Sequence, residues 1–266
     1  MEQVPLVPAG SAPAPAPAPP GPTGFAPPTG EPPVLQCVGL TKRYGQNIAL
    51  NGATFSIARG RVVGLLGPNG SGKTTLIKLA AGLLHPTAGQ VLVAGQEPGP
   101  QTKAVVSYLP ERPYFTPAMK VSQTLDYFAD FYADFDRPLA EEMLARLAVP
   151  TTAHMGGLSK GTKEKVQLVL VMARHAALYL LDEPIGGVDP ATRDYILDTI
   201  IANYHRDSTI LISTHLVADV EHVLDDFLLL QYGVIGMYSS PSQVREQTGM
   251  GLDAYFREVF RCSGSF

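Results

Sequence analysis

Residues 67–75 read GPNGSGKTT, and Gly67, Gly72, Lys73 and Thr74 stand at the fixed places of the pattern G-x-x-x-x-G-K-[ST]. A polyphosphate needs that spacing. Glycines let the backbone pass close to phosphate oxygens, because no β-carbon blocks the approach. Gly67, Pro68, Asn69, Gly70, Ser71, Gly72, Lys73, Thr74 and Thr75 thus form a candidate phosphate loop. The amides from Asn69 onward turn inward as an anion nest at a helix start. Lys73 brings a cation to the β- and γ-phosphates, and the Thr74 hydroxyl offers a hard oxygen to Mg²⁺. The expected ligand is a nucleoside triphosphate; the loop alone leaves the reaction open.

A second set stands about 110 residues further on. Leu178-Tyr179-Leu180-Leu181 is a bare apolar run closed by Asp182 and Glu183. In a parallel sheet the end of such a strand lies beside the phosphate loop. Asp182 is then expected to hold Mg²⁺, and Glu183 to polarise an attacking water.

These groups need elements to hold them. Arg61 to Leu66, RVVGLL, has the form of a buried parallel strand, and Thr74 to Leu83 carries Leu76, Leu79, Ala80 and Leu83 at helical spacing. Further strands are expected over 34–38, 53–57, 90–93, 177–181, 209–213 and 227–231. Helices are expected over 122–135, 139–147, 163–174, 192–204 and 215–224. Strands alternating with helices imply a parallel sheet covered by helices. The stretch from about 115 to 160 has helices without strands and reads as a helical insertion.

Composition divides the chain into two materials. Of its 24 prolines, twelve fall in the first 33 residues, among four glycines, two acids and no lysine or arginine. Such a segment has almost nothing large and apolar to bury, so polyproline or disordered chain is expected. Residues 34–266 have ordinary proline content and length enough for a sizeable core. A formal net charge of −4 gives no reason to expect nucleic acid as a partner. Cys37 and Cys262 make neither a disulfide framework nor a zinc cluster. The uncharged run from Phe227 to Val244 contains Gln231, Pro241 and Gln243, and does not supply the ~20 mostly apolar residues of a membrane span.

From about Leu35 to Phe260 the chain resembles the ATP-binding cassette (ABC) family of ATPases. Beside the phosphate loop, Tyr44 in TKRYG resembles the aromatic platform for adenine. Leu158-Ser159-Lys160-Gly161-Thr162 resembles the family's LSGGQ segment, with Lys160 for a glycine and Thr162 for a glutamine. By that resemblance Ser159, Lys160 and Gly161 contact ATP held by the opposite subunit. Gly186-Gly187-Val188-Asp189 is similar to the loop that crosses the dimer interface, and His215 to the histidine that meets the γ-phosphate. Glu111 stands where the family commonly has glutamine, a position linking Mg²⁺ and water to the helical insertion.

The resemblance implies an α/β fold of the P-loop NTPase (RecA-like) type. A mainly parallel sheet core would carry an antiparallel β subdomain and a helical insertion subdomain. It implies an ATPase with ATP and Mg²⁺ bound, Mg²⁺ being held by Thr74, Glu111 and Asp182. Lys73, Glu183 and His215 would form the catalytic set. The expected assembly is a homodimer or a heterodimer with a second ABC ATPase subunit, working with a polytopic membrane permease. It would be cytoplasmic and peripheral on the inner face of the membrane. The compact C-terminus and LSKG form resemble exporter cassettes for drugs, peptides or antibiotics. A soluble ABC ATPase acting on ribosomes or DNA is the alternative; the single cassette and the lack of a heptad run argue against it. The leader, residues 1–33, is expected to be dispensable for hydrolysis. Tyr127, Phe128, Phe131, Tyr132 and Phe135 sit at helical spacing, as core or as a docking surface.

Overall fold

The computed structural model describes residues 32–111, 115–186, 190–204 and 207–261. Its centre is a six-stranded sheet. β3 (Val62–Leu66), β6 (Leu178–Asp182), β7 (Thr209–Thr214) and β8 (Asp226–Gln231) were anticipated as strands; β5 (Val106–Leu109) and β9 (Val234–Ser239) complete the sheet. The order is β5-β6-β7-β3-β8-β9, parallel except for the β8–β9 pair.

Successive residues on a strand face opposite sides, and here each side has its own core. Val62, Leu66, Tyr179, Leu181, Ile210, Ile212, Phe227 and Leu229 join one apolar cluster. Val63, Leu65, Leu178, Leu180, Leu211, Leu228 and Leu230 join the other. Burial on both faces explains why these strands read as unbroken apolar runs rather than alternating ones.

The first cluster is covered by α3 (Val121–Phe131), α4 (Arg137–Arg146), α5 (Lys160–Met172), α6 (Pro190–Asn203) and α9 (Leu252–Arg261). The second lies under α1 (Lys73–Ala80) and a separate antiparallel sheet. That sheet has the order β2-β1-β4, from β1 (Leu35–Tyr44), β2 (Asn47–Ile57) and β4 (Ala88–Val93). The α/β class, the mainly parallel sheet and the second antiparallel sheet are as expected.

Several bounds differ from the sequence reading, each for a local reason. The helix expected over 122–135 stops at Phe131. Beyond it Tyr132 stacks against the Arg174 guanidinium, 3.7 Å from its ring centroid, and Asp136 caps α4 by accepting from the Leu139 amide. The helix expected from Lys163 starts at Lys160, because Ser159 caps it and accepts from the Thr162 amide. The helix expected over 215–224 shrinks to α7 (Val217–Val220) and a single 3₁₀ turn. Short helices α2 (Pro100–Val105) and α8 (Pro241–Thr248) carry no long apolar stripe and were not anticipated.

Arg174 fastens the region between β5 and β6 to the central sheet. It is 2 % exposed and pairs with Asp134 at 3.0 Å. It also donates to the carbonyls of Val106 at 2.7 Å and Ala104 at 2.8 Å. A buried guanidinium with this many acceptors is satisfied, as burial of a charge requires.

Candidate nucleotide-binding site

The loop between β3 and α1 is shaped by its glycines, each for a different reason. A β-carbon on Gly67 would collide with the Leu230 carbonyl of β8. Gly72 has φ 109, a left-handed conformation that disfavours a side chain, and a β-carbon there would strike the Ala49 carbonyl of β2. The loop is buttressed from β9's side, where the Gly233 amide donates to the Ser71 carbonyl at 3.0 Å and the Asn51 amide to the Gly233 carbonyl at 2.8 Å.

Lys73 opens α1 and is 5 % exposed. Its Nζ donates to the carbonyls of Gly67 at 2.8 Å and Pro68 at 3.2 Å, and lies 3.5 Å from Glu183 Oε1. Burial lowers its pKa, and Glu183 and Asp182 oppose that shift. The cation is thus held among two loop carbonyls and one carboxylate.

Asp182 ends β6 almost fully buried. Its Oδ1 accepts from Ser213 Oγ at 2.6 Å and Thr74 Oγ1 at 3.1 Å, while its buried Oδ2 has no hydrogen-bond partner. Burial raises its pKa, against the two hydroxyl bonds. Glu183 follows with φ 52, in the left-handed region that a side chain rarely takes. The Ser213 carbonyl and hydroxyl hold its amide at 3.0 and 3.2 Å. His215 Nδ1 lies 3.1 Å from both Glu183 carboxylate oxygens. Strain at Glu183 therefore aims the carboxylate between Lys73 and His215.

Lys73, Thr74, Glu183 and His215 border one cavity of about 1020 Å³, together with Tyr44, Asn69, Gly70, Thr75, Glu111 and Lys160; Asp182 does not line it but is bonded to Thr74, which does. Tyr44 is 48 % exposed at its rim, with Lys42 Nζ 5.4 Å from the ring centroid. Ser159 and Gly161 do not line it; Lys160 does, and pairs with Glu164 at 3.7 Å. Asp189 lies outside the described residues. Sequence reasoning missed Ser213, which orients both acids, and Asn47, Ile48 and Ala49, which wall the cavity from β2. It also missed Gln167, whose Nε2 donates to the Pro110 carbonyl at 2.9 Å and fixes the approach to Glu111. No motif marks such residues, since their positions come from strand register and helix packing.

Comparison with known proteins places the chain in a family. Residues 50–186 match the ABC transporter family. The chain is 35% identical over 187 residues to the ABC transporter ATP-binding protein YtrB of Bacillus subtilis, covering 69% of this chain and 64% of that protein. It is 34% identical over 203 residues to the Nod factor export ATP-binding protein I of Burkholderia orbicola, covering 73% of this chain and 66% of that protein. The matched part thus falls just short of two thirds of either relative's length. A solved ATP-binding subunit of an ABC transporter superposes with a TM-score of 0.76 at 29% identity, over 85% of this chain and 99% of that one.

Proposed function

Because the chain belongs to the ABC transporter family, we propose that it is the ATP-hydrolysing subunit of a membrane transporter. The carrying observation is the convergence of the Lys73 loop with Glu183 and His215 on one cavity, with Asp182 bonded to Thr74 in its wall. Phosphoryl transfer asks a protein mainly to position groups and neutralise charge. Loop amides and Lys73 take the β- and γ-phosphates, and Tyr44 takes the adenine face. Glu183, fixed by the Ser213 hydrogen bonds, orients the attacking water and accepts its proton. His215 steadies that carboxylate and meets the γ-phosphate.

The residues fit Mg²⁺. Asp182 Oδ2 is buried and unpartnered, Thr74 supplies a hydroxyl beside it, and Glu111 lines a small pocket together with Asp182. This is a hard-oxygen donor set of the kind Mg²⁺ takes, with substrate phosphates and water completing it. Bound there, the ion would neutralise charge on the β- and γ-oxygens.

Cassettes of this family dimerise and work with membrane components. We assign this chain to a dimer in which Ser159, Lys160 and Gly161 reach ATP on the opposite subunit, with Asp189 at the interface. A polytopic permease would hold the dimer at the inner membrane face. No helix of the described residues is long and apolar enough to cross a membrane. Export of a drug, peptide or antibiotic is the direction favoured by the LSKG form and by the export name of the Burkholderia relative. Residues 34–266 would make up the ATPase domain, with the helical subdomain near 115–160.

Glu183→Gln tests the chemistry. The variant is expected to bind ATP with near-normal affinity and to lose turnover by at least about 10²-fold. Near-normal hydrolysis would remove Glu183 from the base role. Co-purification with a polytopic membrane protein tests the transport assignment.

A further inference from the structure

A second cavity of about 400 Å³ lies away from the phosphate loop. Its walls are aromatic: Tyr108 from β5, Tyr127 and Phe128 from α3, and Tyr132 just after it, with Leu83 at the rim. Tyr127 and Leu83 are 51% and 52% exposed, a high figure for side chains of this size lining a groove. The lining contains Lys103 and Arg174 and, among the described residues, no carboxylate. Tyrosine hydroxyls and Lys103 make it rich in donors.

The sequence contains one segment with the complementary chemistry. Residues 12–22 read APAPAPAPPGP. Proline has a carbonyl and no amide, so such a segment presents mainly acceptors. It is biased to the polyproline helix before binding, so little entropy is lost on docking. Aromatic-lined grooves are the surfaces that take such helices. The flanking charges, Glu2 and Glu31, are both acidic, opposite in sign to Lys103.

The segment can reach. The Val34 carbonyl accepts from the Ala94 amide at 2.8 Å, and Gly82, between the groove residues Ala81 and Leu83, packs against Pro98 close by in sequence. The groove therefore opens near the point where the chain enters the fold. At the polyproline rise, the twelve steps from Pro32 back to Pro20 would span roughly 37 Å, comparable with the whole domain.

We propose that the proline-rich segment docks into the aromatic groove of its own chain as a polyproline ligand. The groove faces solvent beside α3, in the helical subdomain near 115–160 that, on the proposed function, would meet the permease. On that reading, which this consequence rests on, the segment competes with the membrane partner for the groove. The docking itself is independent of that reading.

Hydroxyl-radical footprinting of the full chain tests it, with a full-length variant in which Pro13, Pro15, Pro17, Pro19, Pro20 and Pro22 are changed to serine. Leu83 and Tyr127 should be oxidised several-fold faster in the variant. Tyr232, exposed on the β8–β9 turn, should be unchanged and serves as the internal control. Equal oxidation of Leu83 and Tyr127 in both chains overturns the proposal. Protection that disappears on dilution also overturns it, and assigns the groove to a second copy's segment. ATP turnover is not read, so failure here leaves the ATPase assignment standing.

Discussion

At the scale of single residues, the site is held in a costly arrangement. Asp182 is an almost fully buried carboxylate with one oxygen unpartnered. Its pKa is raised by burial, so folding favours its protonated form. The stability associated with that form is complete below the unfolded value of about 3.9 and is lost as pH rises through the raised value. Asp182→Asn should therefore stabilise the nucleotide-free chain at neutral pH by roughly 1 kcal/mol, a rise in Tm of about 2–4 °C. The gain should shrink towards pH 4, and the variant should lose Mg²⁺-dependent ATP binding. Thermal melts at both pH values, with and without Mg²⁺ and ATP, check each part. Glu111 adds negative charge nearby, since it and Asp182 line one small pocket. Glu111→Gln should tighten binding of metal-free ATP and raise the half-saturating Mg²⁺ several-fold, read by nucleotide-binding titrations. Unaltered binding and metal dependence would show that this carboxylate plays no part at the metal.

At the scale of elements, the buried Arg174 carries more than its length of chain suggests. It joins Asp134, beyond α3, to the carbonyls of Ala104 in α2 and Val106 at the start of β5. Arg174→Ala leaves those acceptors without their donor and is expected to cost about 3–5 kcal/mol in urea unfolding. The chain's sequence made its buried strands legible, because β3, β6, β7 and β8 are apolar on both faces, and β3 and β6 end at glycine or acid. The phosphate loop and acid pair were legible for the same reason: each sits at the end of such a strand. β5 and β9 were not, since β5 has four residues with Ser107 and Tyr108 among them, and β9 buries chiefly Ile235. Their pairing energy comes from neighbours distant in sequence, which no local pattern records. Ser213 and Gln167 were invisible likewise; one hydroxyl and one amide become site residues only through register and packing.

At the scale of the molecule, the proposed dimer makes each complete site depend on two chains. Within one chain, Ser159 does not line the cavity that Lys73, Glu183 and His215 border; its hydroxyl instead caps α5. If Ser159 acts across a two-fold dimer, each site takes its phosphate loop from one chain and its Ser159 segment from the other. Lys73→Ala and Ser159→Arg chains should then each be nearly inactive alone. When the two are mixed, a heterodimer places both lesions in one site and leaves the other intact. Random pairing makes about half the dimers mixed, each with one of two sites working, so recovery of about a quarter of normal ATPase activity is expected. Were both segments to serve the same chain's ATP, every site in the mixture would still carry a lesion, and mixing would restore nothing. Light scattering on the mixture fixes whether dimers form, so absence of rescue in a dimeric sample would place the whole site within one chain.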